Sequence, residues 1–273
     1  SSAQGIYSSL DDALAEAANR GAVIRLYGPG PFSMSPQRLA GISQLIIMAA
    51  DSSQKQPTVI LNPEGGSDSQ TISDYLSFSG GLLRLQGIHF LCDAGRLPGN
   101  GDCNLLALNQ SDLTIQECSF SLTGTGTREF RLINSTGVPR TETDRPEGES
   151  RILLENCVVT GRKLEVVRVD QPYSDVMLSN CYFSVTEAPC LELAALNPNL
   201  NISSVLQARK VPRTLRVFSS TLVSDQSIFE LIGPVAKQAP PAAENQETLK
   251  TQTDLIVINS VLVGDPQARS EER

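Results

Sequence analysis

The amino-acid sequence predicts an all-β fold, a right-handed parallel β-helix solenoid of about eight coils with an N-terminal capping helix. Two observations predict it. First, six segments repeat one eight-residue template with apolar residues at places one, three, six and eight, apart from Ser220 and Ser260 at place six. Second, a short apolar run precedes each copy. A unit repeated in this way buries its apolar side only against its neighbours, which is the defining property of a solenoid.

Each copy of the template consists of two short alternating runs joined by a bend. The copies are residues 83–90, 113–120, 152–159, 176–183, 215–222 and 255–262. The fifth place holds Gly87, Glu117, Asn156, Asn180, Ser219 and Asn259. Apolar residues at every second position predict strands, and Gly and Asn tolerate the left-handed backbone of a tight bend. The template therefore predicts strand, bend and strand.

The apolar run before each template predicts one more strand, so that each coil contains three strands and this one comes first. These runs are residues 76–78, 106–108, 130–132, 167–169, 191–193 and 229–231. Template starts are 24 to 40 residues apart, so the shortest spacing gives the bare coil and the longer ones carry loops. A leucine-rich repeat is the main alternative, but its Leu-x-x-Leu-x-Leu pattern is missing.

Three polar segments interrupt the coils between the run and the template, at residues 137–150, 196–213 and 233–254. All three leave the predicted coil at the same corner. Insertions on one side of a solenoid often form its binding surface. Their composition also suits linker-like excursions, which is the alternative interpretation.

The N-terminal residues predict a cap for the first coil. Ser8 or Ser9 can begin a helix over residues 8–20, with Leu10, Leu14 and Ala17 on its apolar side. Such a helix shields strand edges and core side chains that would otherwise face water. Strands are expected next at 22–27, 44–48 and 58–61, and we treat residues 1–273 as a single domain.

Composition limits the classes of partner. The formal net charge of −8 argues against nucleic acid. No apolar run approaches the roughly 18 residues of a membrane span, so we expect no membrane insertion by this segment. No cofactor is indicated. The chain begins Ser-Ser-Ala-Gln rather than with Met, so we expect a piece of a longer protein. An extracytoplasmic location is expected with the first of the functions given below.

The six cysteines form a group of three and a pair, and Cys190 stands apart at the start of a strand, where we expect it to be buried. Cys118, Cys157 and Cys181 share the inward sixth place of three templates, which predicts a stack of small buried side chains. A linear stack does not offer the tetrahedral ligand set of a metal site, and we assign no metal ligand. Cys92 and Cys103 flank a loop, and a disulfide between them is one alternative in an oxidising compartment, two free thiols being the other.

The middle residue of each run that precedes a template is expected to point outward. Four of these residues are the candidate ligand-binding residues, Arg131, Arg168, Glu192 and Glu230. If the coils are in register, Arg168 and Glu192 are neighbours in a cross-strand charge pair. The functional alternative is that Arg131 and Arg168 meet an acidic sugar or a carboxylate of a partner. The single histidine, His89, is expected to face solvent as an ordinary surface residue.

The opening helix, the strand at 22–27, the turn Gly28-Pro-Gly-Pro31 and the strand–Asn–strand units together resemble the pectin lyase-like β-helix superfamily. Enzymes of that superfamily carry carboxylates, and often a basic residue, on the outer face of one sheet. Polygalacturonase-type members use Asn-Thr-Asp, Asp-Asp, Gly-His-Gly and Arg-Ile-Lys. The one Asp-Asp here is Asp11-Asp12 in the predicted helix. No acidic column is evident at matching positions, and we assign no catalytic residue.

Three functions are compatible with the sequence. The first is a non-catalytic extracytoplasmic domain that binds a protein or another ligand, similar in kind to the β-helix-like external regions of some membrane-anchored bacterial serine/threonine kinases. The second is a polysaccharide lyase or glycoside hydrolase with a divergent site, and the third is a non-catalytic carbohydrate-binding module. Aromatic residues make up 5% of the chain and Trp is absent, which weakens both sugar interpretations. The partner is an unknown protein or polysaccharide.

Overall fold

The computed structural model describes residues 5–18, 20–51, 55–63, 74–97, 102–136, 150–170, 174–194, 213–232 and 253–265. These residues form one α-helix, a short 3₁₀ turn at Ala94–Arg96, and strands in two sheets. Every strand pair is parallel. The all-β prediction and the parallel arrangement are therefore confirmed.

The helix is α1 (Leu10–Ala17). The strands, in chain order, are β1 (Ala22–Leu26), β2 (Phe32–Met34), β3 (Gln37–Ala40), β4 (Gln44–Ala49), β5 (Thr58–Leu61), β6 (Asp74–Gln86), β7 (His89–Asp93), β8 (Cys103–Gln116), β9 (Ser119–Thr123), β10 (Phe130–Thr136), β11 (Ser150–Glu155), β12 (Val158–Arg162), β13 (Leu164–Val169), β14 (Ser174–Ser179), β15 (Tyr182–Thr186), β16 (Leu191–Ala194), β17 (Arg213–Phe218), β18 (Thr221–Ser224), β19 (Phe229–Ile232), β20 (Thr253–Ile258) and β21 (Val261–Val263).

The strand order is that of a chain winding repeatedly through the same positions. One sheet runs β2-β5-β7-β9-β12-β15-β18-β21, and we call it the third face. The other sheet is curled, because the long strands β6 and β8 each continue from one arm into the next. We call the arm that contains β10, β13, β16 and β19 the first face, and the arm that contains β11, β14, β17 and β20 the second face. This arrangement is compatible with a β-helix-like solenoid.

Helix α1 lies against the first strands of the chain. Ser9 caps it by accepting a 3.1 Å hydrogen bond from the Asp12 amide. The helix buries Leu10, Ala13, Leu14 and Ala17 in the core, and it contacts β1, β2 and β3. The predicted cap is thus present, although the helix is shorter than residues 8–20.

All six templates are in register. Their first residues align across the second face, from Leu83 with Leu113 to Leu215 with Leu255. Each fifth residue has a positive φ, between 47° and 68°, as the bend prediction requires. The bend amide bonds to the next coil, as from the Asn156 N–H to the Ser179 carbonyl at 3.0 Å. The strand–bend–strand prediction is confirmed.

The predicted cysteine stack is also confirmed. The amide of Val158 bonds to the Cys118 carbonyl at 3.0 Å, and that of Tyr182 bonds to the Cys157 carbonyl at 2.8 Å, which places successive coils in one column. The three thiols are at most 3% exposed. Their Sγ atoms donate to backbone carbonyls.

The predicted runs before the templates and the predicted loops each need a correction. Residues 76–78 and 106–108 belong to β6 and β8, which continue around a corner instead of ending there. The predicted loops are also shorter at their ends, because Ser150, Arg213 and residues 253–254 lie in strands β11, β17 and β20. The remaining parts of the three loops lie outside the described residues.

Candidate functional site

The outer side of the first face, which we call the charged face, carries two rows of mostly polar residues. Cross-strand register defines both rows. One row contains Asp74, Asn104, Arg131 and Glu165, and the other contains Ser77, Ala107, Asn134, Arg168, Glu192 and Glu230.

The structure corrects the predicted place of Arg131. Arg131 aligns with Glu165, and Asn134 takes the place beside Arg168. The reason is that Leu132 and Ile133 are consecutive yet both buried, so the inward–outward alternation breaks between them. The run at 130–132 therefore lies three residues earlier in the coil than the runs with which the sequence pattern equated it.

Arg131 is held by two carboxylates. Its Nε donates to Glu165 Oε2 at 2.8 Å, and its Nη1 donates to Asp102 Oδ2 at 2.7 Å. The side chains of Arg131 and Glu165 are 10% and 8% exposed. Burial alone would lower the pKa of the guanidinium, but the bonds to the two carboxylates outweigh it and raise that pKa. Arg131 is therefore a paired cation.

Arg168 is held in a similar way. Its Nη1 lies 2.8 Å from Glu192 Oε1, and its Nε lies 3.2 Å from Asp170 Oδ1. The predicted neighbourhood of Arg168 and Glu192 is confirmed by the register of β13 and β16. Glu230 follows Glu192 in the same row and is exposed. Burial raises the pKa of Glu192, against the opposing charge of Arg168.

Glu165 is the most perturbed carboxylate of the charged face. Burial, reinforced by the charge of Glu192, raises its pKa to about 7, although Arg131 opposes the shift. Its Oε1 is buried and has no hydrogen-bond partner among the described residues. The expectation that no acidic column occupies the positions of the superfamily's catalytic carboxylates stays a prediction. Glu165 and Glu192 lie in different rows, although the charge of Glu192 acts on Glu165. A buried carboxyl group that titrates near neutrality is typical both of acid–base sites and of structural ion networks.

His89 has spatial partners that its sequence neighbours did not reveal. Its Nδ1 lies 2.8 Å from the hydroxyl of Ser119, which in turn donates to Gln56 Oε1 at 3.2 Å. Burial, followed by the positive charge of Lys55, lowers the pKa of His89. The template could have predicted this contact, because His89 and Ser119 hold the same place in successive copies.

Cys92 and Cys103 are both buried and both free thiols in the structure. Burial raises the pKa of each to about 12, and each lies close enough to interact with the Tyr75 hydroxyl. That hydroxyl is buried, and burial raises its pKa as well. A disulfide between Cys92 and Cys103 stays a prediction. Cys190 is buried, as expected.

A groove of about 920 Å³ lies on the third face, away from the charged face. Its apolar lining includes Pro31, Ile60 and Leu91, and its polar lining includes Asp93 and Arg96. Asp93 and Arg96 form an exposed ion pair at 3.4 Å. Exposed pairs of this kind contribute little to stability.

Among the described residues, no group of three or more His, Cys, Asp or Glu side chains is arranged to hold a metal ion. In that same part of the chain, no helix has the length and apolar character needed to cross a membrane.

No protein-family model, no curated protein and no solved structure matches the chain. The fold itself therefore defines the class, an all-β protein of parallel sheets compatible with a β-helix-like solenoid.

Proposed function

We propose that this chain is a non-catalytic interaction domain, a right-handed parallel β-helix of about eight coils and of the pectin lyase-like kind, in the extracytoplasmic part of a larger protein. Its partner is a protein or a polysaccharide. The observation that carries the proposal is the internal pairing on the charged face. Each of its two arginines, Arg131 and Arg168, already contacts at least two carboxylates.

Internal pairing matters because catalysis and anion binding both need groups that are free to engage a substrate. To bind an acidic sugar through the atoms that now bond to Glu165, Arg131 would have to leave that buried carboxylate without its partner. Its other bonded carboxylate, Asp102, is half exposed. The network supports a structural role for these residues, in which they keep the outer side of the sheet polar and fixed. Binding is then left to other surfaces, as in solenoids whose loops recognise partners.

Assays on polymers test the non-catalytic part of the proposal. The chain is incubated with polygalacturonate, alginate and neutral polysaccharides, with and without calcium, and products are measured as new reducing ends and as unsaturated uronates. We expect no product with any of them. Release of either kind of product would overturn the proposal. Labelling of intact cells with a membrane-impermeant reagent tests the location, and the parent protein should be labelled.

A polysaccharide-degrading enzyme is the second candidate, and one observation favours it. Glu165 and Glu192 lie together next to Arg131 and Arg168, and the raised pKa of Glu165 suits a proton donor. If a polymer is degraded, Glu165→Gln should abolish turnover without loss of fold. The matched control is Glu187→Gln, because Glu187 forms an ion pair with Arg162 away from this cluster.

A further inference from the structure

The side chains of Cys157 and Cys181 are neighbours in the column formed by the sixth residues of the templates. The Tyr182 amide donates to the Cys157 carbonyl at 2.8 Å, and Asn180 Nδ2 donates to Asn156 Oδ1 at 2.7 Å, so the two coils are in register at the bend and directly after it. Both thiols are free and at most 3% exposed. Backbone register therefore fixes the position of one thiol relative to the other.

The two thiols also contact each other. They share a hydrogen bond, which raises the pKa of Cys157 and lowers that of Cys181. The backbone of Cys118 bonds to the Cys157 thiol, and the backbone of Cys157 bonds to the Cys181 thiol, and each of these bonds acts to lower the pKa of the thiol that it contacts. Both sulfur atoms therefore have backbone donors that stabilise a thiolate.

The spacing of the column matches a metal ion that takes two ligands. Neighbouring strands of a sheet lie about 4.8 Å apart, and equivalent side chains on adjacent coils are separated by about the same distance. An ion held in a straight line between two thiolates, with metal–sulfur distances of about 2.3 Å, needs sulfur atoms about 4.6 Å apart. A column cannot surround an ion with four ligands, but it can supply two in a line. Soft thiolates select Cu(I), an ion that accepts this geometry.

We propose that Cys157 and Cys181 bind one Cu(I) ion between their sulfur atoms. Each thiol loses its proton as its sulfur binds the ion, so two protons are released and no electron is transferred. The complex carries one negative charge, which the backbone donors of the column stabilise. Zinc is not expected here, because structural zinc takes four ligands and no group of three or more His, Cys, Asp or Glu among the described residues is arranged to hold a metal ion.

The column itself shows which substitution keeps the fold. Ser220 and Ser260 hold the same place in the next two templates. The Ser220 hydroxyl accepts from the Cys181 amide at 3.0 Å and donates to the Phe218 carbonyl at 2.8 Å. The Cys181 thiol makes the corresponding bond to the Ser179 carbonyl at 3.4 Å. Cys181→Ser should therefore fold, while it replaces a soft sulfur ligand by a hard oxygen that binds Cu(I) poorly.

Retention of copper by the refolded chain tests the proposal. The reduced 273-residue protein is refolded from urea with Cu(I) present, so that burial of the thiols does not limit entry, and a Cu(I) chelator then removes loosely held copper. We expect one copper per chain, and X-ray absorption should show two sulfur ligands in a line. Cys157→Ser and Cys181→Ser should each weaken copper binding at least about a hundredfold, measured by competition with the chelator.

Cys118→Ser and Cys103→Ser are the matched controls, because each removes one buried thiol outside the proposed pair. Both should retain the copper, and circular dichroism checks that every variant folds. Absence of copper from the parent chain, loss of copper from either control, or a ligand set other than two sulfurs would each overturn the proposal. The polymer assays do not depend on copper binding, so this proposal and the proposed function fail separately.

Discussion

Arg131 and Glu165 face each other across two parallel strands, with Nε and Oε2 2.8 Å apart and both side chains at most 10% exposed. The two residues share a row of the charged face because β10 and β13 pair in that register. The second oxygen of Glu165 is buried without a hydrogen-bond partner among the described residues. This geometry makes the pair sensitive to pH and to the loss of either member.

Stability should depend on pH through Glu165. Its folded pKa of about 7 is above the ordinary 4.5, so folding favours the protonated form. The stabilising contribution of this proton is complete below pH 4.5 and is lost as the pH rises through about 7. Relative to the parent, Glu165→Gln should gain on the order of 3 kcal/mol of unfolding free energy over that interval. Urea unfolding at a series of pH values measures it.

Glu187 is the control, because its pKa is shifted in the opposite direction to that of Glu165. Its hydrogen bond to Arg162 lowers its pKa, so its contribution is present above the ordinary carboxyl pKa and is lost as the pH falls. Glu187→Gln should therefore not reproduce the gain at higher pH. A flat difference between Glu165→Gln and the parent would contradict the assignment.

Removing Arg131 from its buried ion pair with Glu165 should lower the free energy of unfolding. We expect Arg131→Met to destabilise the fold by about 3 to 5 kcal/mol near pH 8, because the carboxylate of Glu165 is then buried without its partner. The loss should shrink near pH 5, where Glu165 is protonated. Arg162→Met, at an exposed ion pair, should hardly change the unfolding midpoint. Equal effects of the two substitutions would be incompatible with the burial of Arg131.

At the bend residue of a template, Gly should give a more stable protein than Ala. Asn180 has φ of 51°, and its Nδ2 donates to Asn156 Oδ1 at 2.7 Å. Asn180→Ala and Asn180→Gly both remove this bond, but Gly alone adopts the left-handed backbone freely. We expect the Gly variant to be more stable than the Ala variant by about 1 to 2 kcal/mol. Thermal unfolding compares them, and a more stable Ala variant would refute the bend geometry.

Core side chains should contribute less to stability in the coil that contains β20 and β21 than in the coil before it. Leu215→Ala should cost about 2 to 5 kcal/mol, because it opens a cavity in a packed column. Leu255→Ala, one coil further along the same column and 51% exposed, should cost under about 1 kcal/mol while the chain is monomeric. Denaturant unfolding of dilute protein makes the comparison, and equal losses would indicate that something covers Leu255.

Thiol counting should separate the two states of Cys92 and Cys103. All six cysteines are buried, so a thiol reagent should modify none of them in the folded protein. After unfolding without reductant, six reactive thiols are expected if the chain has free cysteines, as in the structure. A count of four would establish one disulfide, and mass mapping would show whether it joins Cys92 to Cys103.

Much of the fold could be predicted because every copy of the eight-residue template keeps the same inward positions, although the spacing between copies varies. Apolar alternation fixed the inward column that contains Cys157, and Asn156 and Asn180 marked the bends at which the backbone turns left-handed. The register then follows, since a shift by one residue would turn every core side chain outward. Helix α1 was recognised from its apolar spacing and its serine cap.

The charged face was predicted less well because it depends on contacts between coils. Arg168 and Glu192 were placed correctly because their strands keep the simple alternation. Arg131 was misplaced because Leu132 and Ile133, consecutive residues of β10, are both buried, and this break in the alternation leaves no signal in the sequence. Glu165 was missed with it, and the contact of His89 with Ser119 crosses 30 positions of the chain.

The single-residue bend between the second and third faces has a consequence for how this molecule can vary. Each bend is one left-handed residue whose amide is bonded to the adjacent rung, as Asn180 is to Phe218 at 3.0 Å, so an insertion there would break the ladder. The coils already differ in length at another corner, since 13, 18 and 20 residues separate Thr136 from Ser150, Ala194 from Arg213 and Ile232 from Thr253. A foreign peptide is therefore better grafted between those strands than at the left-handed bend residues.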